Sequence, residues 1–308
     1  MNPTIETRNL SKWYGNVLGL SDVTLAIEPG ITGLLGPNGA GKSTFMKLLT
    51  GQLKPNIGEV SVLGRRVRNA YPLFAKIGFC PEADAFYEEI TGWEFLTGLL
   101  SFYGYSRDEV RARAAKALDI VELAADKDRR IRGYSRGMRQ RIRFAQAIAH
   151  DPEIIILDEP LSGLDPLGKR KLIHLVREYR DQGRTILVSS HVLPEIEAMT
   201  SRIILIHQGK ILAQGDIHYI RDLIETHPHV ISLRCDDPRA LAARFVNEPY
   251  VQNLSFGADA DGLVVETHNR DAFFGRLNAV ILEGGVRVDE ITSPDDNLQA
   301  VFDYLVGK

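Results

Sequence analysis

Gly36-Pro37-Asn38-Gly39-Ala40-Gly41-Lys42-Ser43, followed by Thr44, stands directly after the apolar run Thr32–Leu35. It fits the pattern G-x-x-x-x-G-K-[ST] between a strand and a helix. A bound polyphosphate needs many donors at short range. Glycines let successive backbone N–H groups turn inward, and a helix over Ser43–Leu49 adds the positive end of its dipole. Lys42 brings a charge to the β- and γ-phosphates, and Ser43 offers a hydroxyl to Mg²⁺. A Gly-rich turn with a chance Lys-Ser would match the same pattern, but the flanking strand and helix argue against it. This stretch points to an α/β fold with a phosphate-binding loop.

The chain on either side agrees. Glu153–Leu157 carries Ile154, Ile155, Ile156 and Leu157 without alternation, as a strand covered on both faces does. Thr185–Val188 and Ile203–Ile206 read the same way. The first of these strands runs into Asp158-Glu159. Two carboxylates at the end of a buried strand are costly unless they meet a cation or do chemistry. Asp158 is a candidate Mg²⁺ ligand, directly or through water, and Glu159 a candidate to orient and polarise an attacking water. An acidic turn after a core strand is common, and the phosphate loop in the same chain is what favours the functional reading. Residues 84–150 read differently, with helical spacing of Val110, Ala114, Ala117, Leu118, Val121 and Leu123 over Val110–Ala125. They are expected to form a helical insert.

Past residue 227 the pattern changes again. His229–Arg234 reads as a strand, Pro238–Asn247 as a helix, and Val251–Phe256 with Leu263–Thr267 as a hairpin around Asp259–Gly262. Asp271–Leu282 reads as a helix, Val286–Glu290 as a strand, and Ser293 as the cap of a last helix through Leu305. The order βαββαβ suggests a small α+β module of ferredoxin-like type. Charge divides at the same place. Residues 1–227 hold 30 basic and 27 acidic side chains, net +3, whereas 228–308 hold 7 and 13, net −6. The expected domains are therefore 1–227 and 228–308.

With 44% hydrophobic and 25% charged residues among 308, the chain can bury a sizeable core. A net charge of −3 argues against a general nucleic-acid coat. Cys80 and Cys235 lie far apart in no metal-ligand spacing, which fits reduced thiols of a cytosolic protein. Met1 to Leu10 shows no secretory pattern, and no run of about 18 uncharged apolar residues is present to span a bilayer. Any membrane part is expected on another chain.

These motifs, in this order, resemble the ATPase subunits of ABC transporters over roughly residues 4–220. The most distinctive segment is Tyr134-Ser135-Arg136-Gly137-Met138-Arg139-Gln140-Arg141. The family pattern there is Leu-Ser-Gly-Gly-Gln, a polar residue, Gln and Arg. This chain departs from it at Tyr134, Arg136 and Met138 and keeps Ser135, Gly137, Gln140 and Arg141. The resemblance implies that Ser135 and Gly137, with a helix N-terminus, cover the γ-phosphate bound by a second subunit. Taken alone, the segment reads as a basic helix start on a solvated face.

Further positions follow from the resemblance. Tyr14, 28 residues before Lys42, falls where the family stacks an aromatic ring on adenine, although Trp13 lies beside it. Ser162-Gly163-Leu164-Asp165 resembles the loop that touches the opposite subunit, with Asp165 in the site. Ser189-Ser190-His191 resembles the segment whose histidine, His191, senses the γ-phosphate. Ile77-Gly78-Phe79-Cys80-Pro81-Glu82 places Glu82 where the family usually has Gln. Gln donates and accepts, whereas an ionised Glu only accepts. Glu82 can still offer Mg²⁺ an oxygen, at the cost of a negative charge beside the γ-phosphate.

The expectation is an ATP- and Mg²⁺-dependent ATPase. A homodimer would close over two composite sites and drive a separate integral membrane permease, with export favoured, at the cytoplasmic face of the membrane. Lys42, Glu159 and His191 would be its catalytic side chains. The alternative is a soluble ABC-type ATPase acting as a mechanical switch outside transport. Members acting in translation usually carry two ATPase cores and those acting in repair a long coiled-coil insert; neither is visible here.

Overall fold

The computed structural model describes residues 3–67, 70–83, 85–217, 229–257, 261–284 and 286–293. The chain divides into two compact units, 1–216 and 217–308. The expected boundary between 227 and 228, and residues 294–305 of the helix expected after a cap at Ser293, fall outside the described residues, as do residues 259 and 260 of the turn expected at Asp259–Gly262.

The first unit is built on two sheets. β1 (Ile5–Tyr14) and β2 (Val17–Ile27) pair antiparallel, and β4 (Ile57–Val62) and β5 (Arg65–Arg66) extend them in the order β2-β1-β4-β5. The larger sheet has β3 (Ile31–Leu35), β6 (Ile77–Cys80), β7 (Ile154–Leu157), β8 (Thr185–Ser190), β9 (Arg202–His207) and β10 (Lys210–Asp216). Its order is β10-β9-β3-β8-β7-β6, parallel except for β10 at the edge. Every residue of β3, β7 and β8 is buried, which accounts for their unbroken apolar runs. α1 (Lys42–Leu49) lies in the core shared by the two sheets, with Phe45, Met46, Leu48 and Leu49 buried beside Leu20, Val23, Val60, Ile156 and Ile204. Full burial of each such side chain contributes about 1.5–3 kcal/mol.

Because β3, β6, β7 and β8 run parallel and adjacent, their carboxyl ends lie along one edge. Leu35 is level with Ser190, Val188 with Leu157, and Leu157 with Cys80. In open parallel sheets that edge is where ligands bind. Here it carries the phosphate loop, Asp158-Glu159, His191 and Glu82 together.

Residues 91–148 contain α3 (Gly92–Ser101), α4 (Arg107–Ile120) and α5 (Arg136–Ile148), after the short α2 (Tyr71–Phe74). Reciprocal capping boxes start two of them: Thr91 with Glu94, and Ser106 with Glu109. α4 therefore begins ahead of Val110, and it stops at Ile120, since Glu122 takes a left-handed φ of 56°. α5 packs on both α4 and the strands β6 and β7. α6 (Pro166–Asp181) and α7 (Leu193–Glu197) complete the unit.

The second unit runs β11 (His229–Cys235), α8 (Pro238–Phe245), β12 (Val251–Phe256), β13 (Gly262–Thr267), α9 (Arg270–Glu283) and β14 (Val288–Thr292). The sheet is antiparallel, in the order β12-β13-β11-β14, an arrangement of the ferredoxin-like βαββαβ type. Ile231, Leu233, Leu263 and Val265 form one core with Leu241, Phe245, Phe273 and Leu277 of the helices. β14 lies two residues later than expected.

Candidate nucleotide site

The phosphate loop follows β3 by geometry that only glycine permits at two points. Gly41 has φ 109°, and a Cβ there would lie 2.7 Å from the Gly19 carbonyl; at Gly36 it would lie 2.4 Å from that of Ile206. α1 then starts at Lys42 with no side-chain cap, so its first N–H groups are offered to a ligand. Lys42 is buried. Its Nζ donates to the carbonyls of Gly36 (2.6 Å) and Pro37 (3.3 Å) and stands 3.1 Å from Glu159 Oε1.

Glu159 and Asp158 are both buried at the end of β7. Glu159 takes a left-handed φ of 48°, which a non-glycine residue holds at a cost of about 1–3 kcal/mol. That turn aims its carboxylate back at the phosphate loop. Oε2 lies 3.0 Å from His191 Nδ1, while Oε1 accepts no aligned hydrogen bond and meets Lys42 as a charge. The Asp158 amide donates to the Cys80 carbonyl at 2.8 Å. Ser189 joins the two acids: its Oγ donates to Asp158 Oδ1 at 2.7 Å and accepts from the Glu159 amide at 2.9 Å. Sequence reasoning gave Ser189 no role of its own. Its place at the end of an apolar strand beside two carboxylates was the available signal.

Tyr14, at the end of β1, reaches Thr44 of α1 with its hydroxyl 3.3 Å from Thr44 Oγ1. Its ring is 45% exposed and lies over Gly19, where a Cβ would come within 2.9 Å. An exposed ring beside the start of α1 offers a face for a base to stack on.

A second group gathers at the N-termini of α5 and α6. Ser135 caps α5 by accepting from the Met138 amide at 3.2 Å. Gly137 is open, with a hypothetical Cβ no nearer than 3.8 Å to Leu164. Arg136 lies over Gly163 and donates to Ser162 Oγ at 3.3 Å. The Asp165 carboxylate caps α6 by accepting from the Gly168 amide at 2.7 Å. Gln140 links this group to the first by donating to the Pro160 carbonyl at 2.7 Å. Glu82 has an exposed side chain, and its carbonyl accepts from Arg143.

Burial pushes the Cys80 thiol up to about 12. Burial also lowers His150 to about 4, against a hydrogen bond to the Ile77 carbonyl that acts the other way. Cys80 and Cys235 are free and buried.

Among the described residues no group of three or more His, Cys, Asp or Glu is placed to hold a metal. An ion at Asp158 and Ser43 would have to complete its shell with phosphate oxygens and water. That donor set suits Mg²⁺, which keeps waters and binds through one or two protein oxygens plus substrate phosphates. Nor is any helix of the described residues long and apolar enough to cross a membrane.

A family model described as ABC transporter matches residues 20–162. A bacitracin transport ATP-binding protein of Enterococcus faecalis is 32% identical over 310 residues, covering 100% of this chain and 97% of that one. A Nod factor export ATP-binding protein of Burkholderia orbicola is 33% identical, over 77% of this chain and 78% of that one. Among solved structures, the dimeric post-hydrolysis state of an ATP-binding cassette bound to ADP and Pi has a TM-score of 0.64 at 26% identity. It covers 69% of this chain and 98% of that one.

Proposed function

The chain belongs to the family of ABC transporter ATP-binding subunits, and from that premise we propose that it hydrolyses ATP with Glu159 as general base to energise export through a separate membrane permease. The observation that carries this reading is the buried Glu159 carboxylate, held between Lys42 and His191 at the carboxyl edge of the parallel sheet. A triphosphate in the loop competes with Glu159 for the Lys42 ammonium. As Lys42 turns to the phosphate oxygens, Oε1 is freed to accept a proton from the attacking water. His191 keeps Oε2 oriented and, being half-exposed, can also reach the terminal phosphate. Ser189 holds Asp158 and the Glu159 backbone in fixed relation, so both acids face the same point. Ser43 and Asp158 would hold Mg²⁺, which when bound neutralises phosphate charge.

In this reading Gly36–Thr44 of one chain binds ATP and Tyr14 stacks on its base. Ser135 and Gly137 of a second copy cover the γ-phosphate, and Asp165 shapes the loop beside them. Glu82 lies next to the γ-phosphate and offers the metal an oxygen. Residues 228–308 serve dimer contact or regulation. Full-length similarity to a bacitracin transport protein supports transport, and the export lean rests on likeness to a Nod factor export protein. The deciding experiment compares Mg-ATP turnover of the chain with that of Glu159→Gln. The variant should keep ATP binding and lose about 10²-fold or more in turnover. Near-normal hydrolysis by it would refute the role of Glu159.

A further inference from the structure

α5 carries two buried polar side chains one turn apart, Gln140 and Arg143, 1% and 7% exposed. Arg143 is a positioned cation with no carboxylate within ion-pair distance among the described residues. Its Nη1 donates to the carbonyls of Pro81 (3.3 Å) and Glu82, its Nη2 donates to Gln140 Oε1, and its Nε is buried without a partner. Gln140 passes the connection on through Nε2 to the Pro160 carbonyl. A buried guanidinium without a counter-ion is expensive, and a packed apolar residue would serve stability as well or better. What the guanidinium adds is reach. Its planar fork donates in two directions at fixed angles, which a single ammonium does not.

The segments so joined matter. Pro81 and Glu82 follow β6, Pro160 follows Glu159, and Ser135 caps the start of α5. We propose that Arg143, acting through Gln140, is a positioning residue that locks the Pro81–Glu82 segment, the residue after the catalytic glutamate, and α5 into one moving body. A force on the N-terminus of α5 then displaces the Glu82 segment and the turn after Glu159 together. The inference rests on the ATPase reading for its consequence in turnover, but the mechanical link itself requires only nucleotide binding.

The test uses the full chain with Arg143→Met, which keeps volume and removes the donors, and Arg143→Lys, which keeps the charge. Three quantities are read: Mg-ATP affinity, turnover, and hydrogen exchange of amides 82–83 and 136–139 with and without Mg-ATP. Arg143→Met should bind Mg-ATP within about threefold of the parent and lose about tenfold or more in turnover, the scale expected of a misplaced catalytic group. In the parent, Mg-ATP should change exchange at both segments. In Arg143→Met the change should stay at 136–139. Arg143→Lys should behave like Arg143→Met, since charge alone does not span the carbonyls.

Turnover within twofold of the parent, or coupled exchange surviving in folded Arg143→Met, would overturn the proposal. If Arg143→Met does not fold, Gln140→Met decides, and parental turnover and exchange in that variant would also overturn it. If the parent binds Mg-ATP without hydrolysing it, the proposed function fails, and the exchange arm alone decides the link.

Discussion

Lys42 Nζ lies 3.1 Å from Glu159 Oε1, with both side chains almost wholly buried. The cation proposed to grip phosphate and the carboxylate proposed to activate water thus neutralise each other across two loops more than a hundred residues apart in sequence. Removing one partner of such a pair costs about 3–5 kcal/mol, because the other charge is left buried. Lys42→Met should therefore lower stability by about that amount, and adding Glu159→Gln to it should recover part of the loss. Urea unfolding of the parent, both single variants and the double variant measures the coupling. Additive losses would show that the two charges do not depend on each other.

Ser189→Ala removes a donor from Asp158 and an acceptor from the Glu159 amide at once. Each buried polar group left unsatisfied costs about 1–3 kcal/mol. The variant should unfold at lower urea and turn over Mg-ATP at least about tenfold more slowly, since Glu159 loses the anchor of its strained turn. Parental kinetics in Ser189→Ala would show that Glu159 is positioned by other contacts.

His150 sets an acid limit on stability. It stacks on Tyr103 at a ring separation of 4.5 Å, and burial lowers it to about 4 from the ordinary 6.5. Between those values the unfolded chain binds the proton and the folded chain does not, so stability rises with pH across the window. At pH 7 and above nothing is lost. As pH falls through 6.5 stability drains away, reaching a loss of about 3 kcal/mol near pH 4. Urea midpoints at pH 7.5, 6 and 5 should show the decline, and His150→Gln should flatten this part of it. An equal slope in both proteins would remove His150 as the cause.

A composite site across two copies predicts complementation. Lys42→Ala damages the phosphate loop, and Ser135→Arg damages the covering helix start. Each homodimer has two damaged sites, whereas a mixed dimer has one damaged on both sides and one intact. Mixing the two inactive chains should restore tight Mg-ATP trapping at one site per dimer. No recovery in a verified mixed dimer would reject the arrangement.

Truncation after Thr226 should leave ATP binding intact, since every residue of the candidate site lies before it. A folded, truncated protein that no longer binds nucleotide would show that residues 228–308 contribute to the site.

The parallel core was readable because strands buried on both faces lose their alternation, as Ile154-Ile155-Ile156-Leu157 does. The antiparallel sheet of β1, β2 and β4 was not. Register shifts interrupt β1 between Thr7 and Leu10, and Asn9 and Asp22 take left-handed φ values of 47° and 51°. Each bulge breaks the period of two on which strand reading depends. Yet this sheet delivers Tyr14 to Thr44. α4 was misplaced at its start for a similar reason: the Ser106–Glu109 capping box lies outside the apolar spacing that suggested the helix.

By itself the sequence determined the chemistry that is local in the chain. Gly36 to Ser43 folds as a phosphate loop because its glycines and its helix start are contiguous, and Asp158-Glu159 ends a strand because the apolar run stops there. Tertiary structure alone decided which of these groups meet. Ser189 reaches Asp158 because β7 and β8 are neighbours in parallel register, with Leu157 level with Val188. Arg143 reaches Pro81 and Glu82 because α5 packs along β6, with Gln146 at the Phe79 carbonyl and Arg143 just past the strand's end. Such encounters join residues about 30 to 60 positions apart, and no local pattern encodes them. They follow from strand order, which the folding of the whole sheet sets.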